Sequence, residues 1–280
     1  MLHCATSSKT KHNGQNKTAI PKKNKRIRCL PSLSFSGCGL HVYFQLGVAN
    51  ELLSSKVRTD TVLCTSAGMC SALYYLLDLR KCLPLQKLLD VLPVCSPLPQ
   101  AGKPSLLVAK GCCTNQFCPN LLQKSADNMI ELVCRVLSKR PDSYKRLNNR
   151  LFVFLCRWPS LKTTVVSCWK SNEHVIETLK QTTTIPWVTR PGPYCCGNEK
   201  WVDGGFLNTH PIKDCHTVCV TNSRFSAFSK ARRCKKQWWG EISHPLCTDS
   251  ACLVRDKKYY KDLYKLGKCT AKNYLNRCCL

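Results

Sequence analysis

The 280-residue chain carries 43 lysines and arginines against 16 acids, a net charge of +27, with 44% hydrophobic and 21% charged residues. That length suits one or two domains with a sizeable core, and the balance excludes disorder throughout, collagen and coiled coil. No run approaches the roughly 18 uninterrupted apolar residues of a membrane span, because Asp78, Arg80, Lys81 and Lys87 interrupt the most apolar stretch, Ala72 to Val94.

In chain order, Met1 to Thr18 are polar and lysine-dotted without an apolar h-region, so the expectation is a chain with no secretory signal, in a reducing, cytoplasmic setting. Residues 1 to 28 hold eight lysines and arginines and no acid. Such a block repels itself and predicts a basic disordered arm. Its PKKNKRIR cluster, 21 to 28, suits a nuclear address, a nucleic-acid contact or an anchor for anionic lipid, and equally a solvated tail.

From Arg28 short apolar runs alternate with helical patterns. Leu30 to Ser36 reads as a strand ending in the turn Gly37 to Gly39, and Tyr43, Phe44, Gly47, Val48 and Leu52 then recur at helical intervals. Thr61 to Cys64 is a β-branched strand, followed directly by an apolar helix from Ala67 to Leu79. The segment from Cys82 to Asn120 has no clear period and reads as a loop or lid. Leu122 to Leu137 predicts one helix face, closed before Pro141. Strands follow at Leu151 to Cys156 and Thr164 to Cys168, then an amphipathic helix opened by Asn172 and Glu173 and closed before Pro186. Further strands are expected near Lys200 to Val202 and at Thr217 to Thr221. The alternation predicts an α/β fold of three layers, α/β/α, around a mostly parallel central sheet.

Residues 223 to 258 form a basic loop region, with Lys230, Arg232, Arg233, Lys235 and Lys236 beside Trp238 and Trp239. Basic side chains next to aromatics suit a phosphate-bearing surface, membrane or nucleic acid, while tryptophans tucked into the core are the plain alternative. The 23 cysteines are an odd number in a chain with no export signal, which argues against a disulfide framework. Cys112, Cys113 and Cys118, or Cys215, His216 and Cys219, or His244, Cys247 and Cys252 lack paired C-x2-C spacing, so no structural zinc and no other metal is expected.

Three turns carry the chemistry. Ser36-Gly37-Cys38-Gly39-Leu40-His41 joins a strand to a helix, where glycines admit a ligand to the backbone and the helix start offers free N–H groups to an anion. Cys64-Thr65-Ser66-Ala67-Gly68 is again strand, turn and helix. It has the form of a nucleophile elbow, in which a serine on a strained turn lifts its hydroxyl clear of small neighbours. Trp201-Val202-Asp203-Gly204-Gly205 lies 137 positions after the serine. A carboxylate before two glycines reaches a hydroxyl directly, and a partly dry pocket raises its pKa toward that of a useful base; an aspartate capping its own turn is the structural alternative.

Together these turns resemble the patatin-like phospholipase family, most closely its adiponutrin and adipose triglyceride lipase branch, whose oxyanion turn reads G-C-G as Gly37-Cys38-Gly39 does. Leu33-Ser34-Phe35-Ser36, Leu46-Gly47-Val48-Ala49, Ile185-Pro186, Asn208 to Ile212, Tyr264-Lys265-Leu266-Gly267 and Tyr274-Leu275 are similar as well, over residues 29 to 280 with a poor match at 82 to 145. The resemblance implies a lipid acyl hydrolase domain at 29 to 280 closed by a helix at 259 to 280, with Ser66 as nucleophile and Asp203 as general base, and no cofactor. Gly37, Cys38, Gly39 and Ala67 would form the oxyanion hole, and Gly68, Gly204 and Gly205 would support the motifs. It also implies a glycerolipid substrate at a membrane or lipid-droplet surface, with anionic polymers bound non-specifically by the basic arm. Two residues depart from the pattern. Val42 stands in place of a third glycine and Cys64 in place of the elbow's first, so a catalytically impaired lipid- or partner-binding relative is the alternative. A Ser-Asp-His triad using His210, His216 or His244 is allowed by chain order, and His41 is expected at the helix start.

Overall fold

The computed structural model describes residues 28–30, 32–92, 119–214, 216–221, 241–243 and 255–277. The basic arm up to residue 27, most of the 82 to 120 segment, the cluster from Lys230 to Trp239 and His244 lie outside the described residues.

β1 (Arg28–Leu30) and β2 (Ser32–Phe35) lead into a short 3-10 turn, Gly39–His41, and α1 (Val42–Ser54). β3 (Val57–Thr59) and β4 (Val62–Thr65) precede α2 (Gly68–Leu76), α3 (Leu85–Asp90) and α4 (Pro119–Ser138). β5 (Leu151–Trp158) and β6 (Lys162–Val166) form a hairpin, followed by α5 (Asn172–Thr182), β7 (Tyr194–Cys196) and β8 (Glu199–Asp203). β9 (Thr217–Thr221), β10 (Glu241–Ser243) and α6 (Lys257–Arg277) complete the described elements.

The main sheet runs β10-β9-β2-β4-β5-β8-β7, with β6 on β5. The pairings from β10 through β5 are parallel, and those of β5 with β6 and β8, and of β8 with β7, are antiparallel. The fold is therefore mixed α/β, a mostly parallel central sheet flanked by helices. β2, β4 and β9 are buried along their whole length, as inner strands of a covered parallel sheet must be, so they read as continuous runs and not as alternation. The Ala67 to Leu79 helix ends early, at Leu76, because Asp78 turns left-handed at φ 46°.

α6 packs along α1 with backbone against backbone. A Cβ on Gly47 would fall 2.1 Å from the Tyr264 carbonyl oxygen, and one on Gly267 would fall 2.1 Å from that of Phe44. The Tyr43 and Tyr260 rings meet across the same seam, centroids 4.9 Å apart and tilted by 41°. The buried seam fixes α1, and with it the glycine turn at its N-terminal end. Among the described residues no helix is long and apolar enough to cross a membrane.

Candidate active site

Two residues, Ser66 and Ala67, make the whole passage from β4 to α2. So short a turn forces Ser66 to φ 54°, a left-handed conformation that costs a non-glycine residue on the order of 1 to 3 kcal/mol. The surroundings hold it there. The Ser66 N–H donates to Thr182 Oγ1 at 2.8 Å, and the Thr182 hydroxyl donates onward to the Phe154 carbonyl at 3.0 Å. α2 begins close enough to β2 that a Cβ on Gly68 would meet the Phe35 and Ser36 carbonyl oxygens at 2.5 Å, so only glycine fits.

Asp203 ends β8, which is separated from β4 in the sheet by β5 alone. Its Oδ2 accepts the Ser66 hydroxyl at 2.5 Å and its Oδ1 accepts the Gly205 N–H at 2.7 Å. Its own N–H donates to the Thr184 carbonyl at 2.7 Å. The two glycines after it have separate reasons. A Cβ on Gly204 would lie 2.0 Å from the Phe154 carbonyl oxygen, and one on Gly205 would press on Asp203 Oδ1 at 2.9 Å. Burial raises the Asp203 carboxyl from its ordinary 3.8 to about 7, against the lowering effect of the Ser66 and Gly205 hydrogen bonds. A carboxylate so placed takes up a proton near neutral pH.

The glycine turn stands over this pair. A Cβ on Gly37 would touch Ser66 Cβ at 3.4 Å. Gly37 is not an available donor, since its N–H is given to the Thr209 carbonyl at 2.9 Å; it contributes close approach, which corrects its expected place among the oxyanion donors. Gly39 takes φ 50°, where glycine is at ease. Cys38 caps the 3-10 turn, Gly39 opens it and Ala67 caps α2, and amides at such positions have no acceptor within their own helix. Burial, then Cys70 and Asp203, hold the Cys38 thiol well above the usual range, so it is a neutral wall and not a nucleophile.

Against Ser66 opens a cavity of about 70 Å³, lined chiefly by apolar side chains including Leu40, Val42, Leu122, Met129 and Ile130. Val42 is therefore a wall residue at the start of α1. Cys64 is fully buried in β4 between Phe35 and Val153, within the sheet and not across the elbow. His210 pairs with Thr221 Oγ1 at 2.5 Å, His216 is exposed, and the two Asp203 oxygens are held by Ser66 and Gly205. His41 is buried at the N-cap of α1, 3.3 Å from the Tyr259 hydroxyl. Among the described residues no three His, Cys, Asp or Glu side chains gather as metal ligands.

Sequence reasoning missed two supports. Thr182 pins the elbow, and Gln45, fully buried on α1, donates to the Ser36 carbonyl at 2.9 Å and so holds the end of β2 beneath the glycine turn. The run Thr182-Thr183-Thr184 at a helix end before Ile185-Pro186 was the visible signal for the first. A lone glutamine on an apolar helix face was the signal for the second.

No protein-family profile matches the chain. Among characterised proteins it is 29% identical over 200 residues to the omega-hydroxyceramide transacylase of mouse, Mus musculus, an alignment covering 70% of this chain. The chain spans 30% of that relative's length. Among solved structures it overlaps VipD from Legionella pneumophila with a TM-score of 0.45 and 11% identity, over 89% of this chain and 67% of that one. It overlaps the ExoU-SpcU complex from the type III secretion system of Pseudomonas aeruginosa with a TM-score of 0.37 and 11% identity, over 89% and 52%.

Proposed function

We propose that this chain is a lipid acyl hydrolase of the patatin-like type, cleaving carboxylic esters of triacylglycerol or phospholipid through a Ser66–Asp203 dyad and an acyl-enzyme. The observation that carries the reading is the 2.5 Å hydrogen bond from Ser66 Oγ to Asp203 Oδ2, made by a serine on a left-handed turn beside an apolar cavity. The G-C-G turn supports the adiponutrin and adipose triglyceride lipase branch within that family. The domain runs over 29 to 280, the basic arm precedes it, and the protein works at the periphery of membranes or lipid droplets.

In the proposed reaction Ser66 Oγ attacks the ester carbonyl carbon while its proton passes to Asp203 Oδ2. The oxyanion is held by the amides of Cys38, Gly39 and Ala67, each such donor contributing typically about 2.7 to 4 kcal/mol to the transition state. The C–O bond of the tetrahedral adduct then breaks, and Asp203 returns its proton to the leaving alkoxide. Water activated by Asp203 attacks the acyl-enzyme in turn, releasing the acid and restoring Ser66. Cys64 and Val42 weigh little against activity, because one side chain lies within the sheet and the other in the cavity wall. The transacylase name of the mouse relative favours a second reading, in which an alcohol replaces water and the acyl group is transferred.

The test is labelling with a serine-directed fluorophosphonate followed by peptide mapping, beside turnover of a soluble short-chain ester. Label confined to the Ser66 peptide is expected, with turnover falling about 10³-fold or more in Ser66→Ala and Asp203→Asn. Equal turnover by all three proteins overturns the dyad. Acid as sole product in the presence of a long-chain alcohol separates hydrolysis from transfer.

A further inference from the structure

We propose that Trp187, Phe206 and Leu207 form a docking surface that seats the mouth of the site on an anionic lipid bilayer; the proposal rests on the lipid acyl hydrolase reading. Among the described residues five large hydrophobic side chains are exposed, and these three are 71%, 50% and 42% accessible. All three belong to the two segments that hold Asp203. Trp187 follows Thr184, whose carbonyl accepts the Asp203 N–H, by three residues, and Phe206 follows Asp203 itself by three. Three residues reach at most about 10 Å of backbone, so both residues are tethered within one short segment of Asp203.

Trp187 is exposed without being loose. Its backbone is left-handed at φ 62°, a conformation a bulky residue avoids unless held. Its N–H donates to the Arg190 carbonyl at 2.6 Å, while the amides of Val188 and Thr189 both return to the Ile185 carbonyl. Thr189 Oγ1 closes the loop from inside, accepting the Ile185 N–H and donating to the Thr183 carbonyl, each at 2.8 Å. The Arg190 guanidinium grips Asp127 on α4 through both carboxylate oxygens. The same loop turns Ile185 and Thr189 into the cavity beside Ser66, and Trp187 lies between these two wall residues in the chain. The backbone at Phe206 and Leu207 is held likewise, the Leu207 and Asn208 amides both donating to the Gly204 carbonyl.

A rigidly presented indole is poorly matched to water and well matched to the interface of a bilayer, where an amphipathic ring keeps its N–H among headgroups. Apolar side chains inserted there lie about 5 to 10 Å deep, at the boundary where glycerolipid esters sit. The net charge of +27 supplies the long-range attraction that selects an anionic surface. Apolar tips give the contact its depth and position, and charge brings the protein to the surface.

The experiment uses the full chain with vesicles of phosphatidylcholine alone or with about one third phosphatidylserine, measured by co-sedimentation, beside turnover of a soluble short-chain ester. Trp187→Ala and the double variant Phe206→Ser/Leu207→Ser are each expected to lower partitioning about tenfold, leaving soluble-ester turnover within about twofold. Leu161→Ala, which removes an exposed leucine from the β5–β6 hairpin, is expected to change neither. Unchanged partitioning by both variants, with ester turnover intact, overturns the docking surface and leaves the hydrolase standing. An equal fall in soluble-ester turnover also overturns it, as does lipid-free dimerisation lost in Trp187→Ala, which assigns the surface to a second copy. Wild-type protein that turns over no ester, yet loses vesicle binding in these variants, keeps the docking surface and removes the hydrolase.

Discussion

Gly47 and Gly267 occupy each other's backbone space, each placed where a Cβ would fall 2.1 Å from a carbonyl oxygen of the partner helix. Side-chain rotation cannot relieve a clash with backbone, so α1 and α6 must move apart to admit a methyl group. Gly267→Ala gains about 1 kcal/mol of helix propensity. The overpacking costs about 1 to 3 kcal/mol and more where only backbone can yield. A net fall in urea midpoint at unchanged m value is expected, and a raised midpoint refutes the tight seam.

Thr182 is the single side chain that satisfies the strained Ser66 amide. Thr182→Val keeps the shape and removes the hydroxyl, leaving the buried Ser66 N–H and the Phe154 carbonyl without it. A stability loss of about 1 to 3 kcal/mol is expected. On a soluble ester kcat should fall with KM nearly unchanged, because the turn presents the hydroxyl and does not bind the acyl group. Thr182→Ser should recover both quantities; equal kcat in Thr182→Val and wild type shows that the pin does not matter to catalysis.

The longer elements were legible in the sequence because their apolar residues recur with a period that burial imposes. α1, α4, α5 and the strands β2, β4, β5 and β9 lie within a few residues of their expected bounds. The three-residue strands β1, β3, β7 and β10, and the six-residue α3, are too short to show any period and went unread. The three turns were legible as motifs because close approach dictates their glycines, as the 2.0 Å at Gly204 and 2.5 Å at Gly68 make plain. What the turns did not reveal is their support. Thr182, Thr184 and Gln45 act through backbone atoms of residues on other elements or turns, and such contacts leave no local pattern.

Cys64 departs from the elbow pattern, yet its full burial within β4 makes it a packed residue of the sheet. Cys64→Gly deletes a packed side chain from an inner strand and adds backbone freedom to the unfolded chain. The two together are expected to cost about 2 kcal/mol or more. Ester turnover per folded molecule should not rise. A variant more active than its parent shows that the cysteine obstructs the turn after all.

Asp203 ties activity and stability to pH in opposite directions. Its carboxyl is raised from 3.8 to about 7, chiefly by burial, and it must be ionised to accept the Ser66 proton. With a soluble ester, kcat/KM should therefore climb about tenfold per pH unit below pH 7 and level above it. Stability follows the other sign. Between roughly pH 4 and 7 the native state keeps a proton that the unfolded state releases, so this group's contribution is complete below about pH 4 and is lost as pH rises to 7. Asp203→Asn stays neutral and keeps the size of the side chain, so its stability relative to wild type should increase across that interval and hold constant above it. Urea titrations of both proteins at pH 4, 5.5, 7 and 8.5 read the difference directly; a difference that does not change with pH shows that Asp203 titrates in the native state as it does in the unfolded chain, and removes it as a base poised near neutrality.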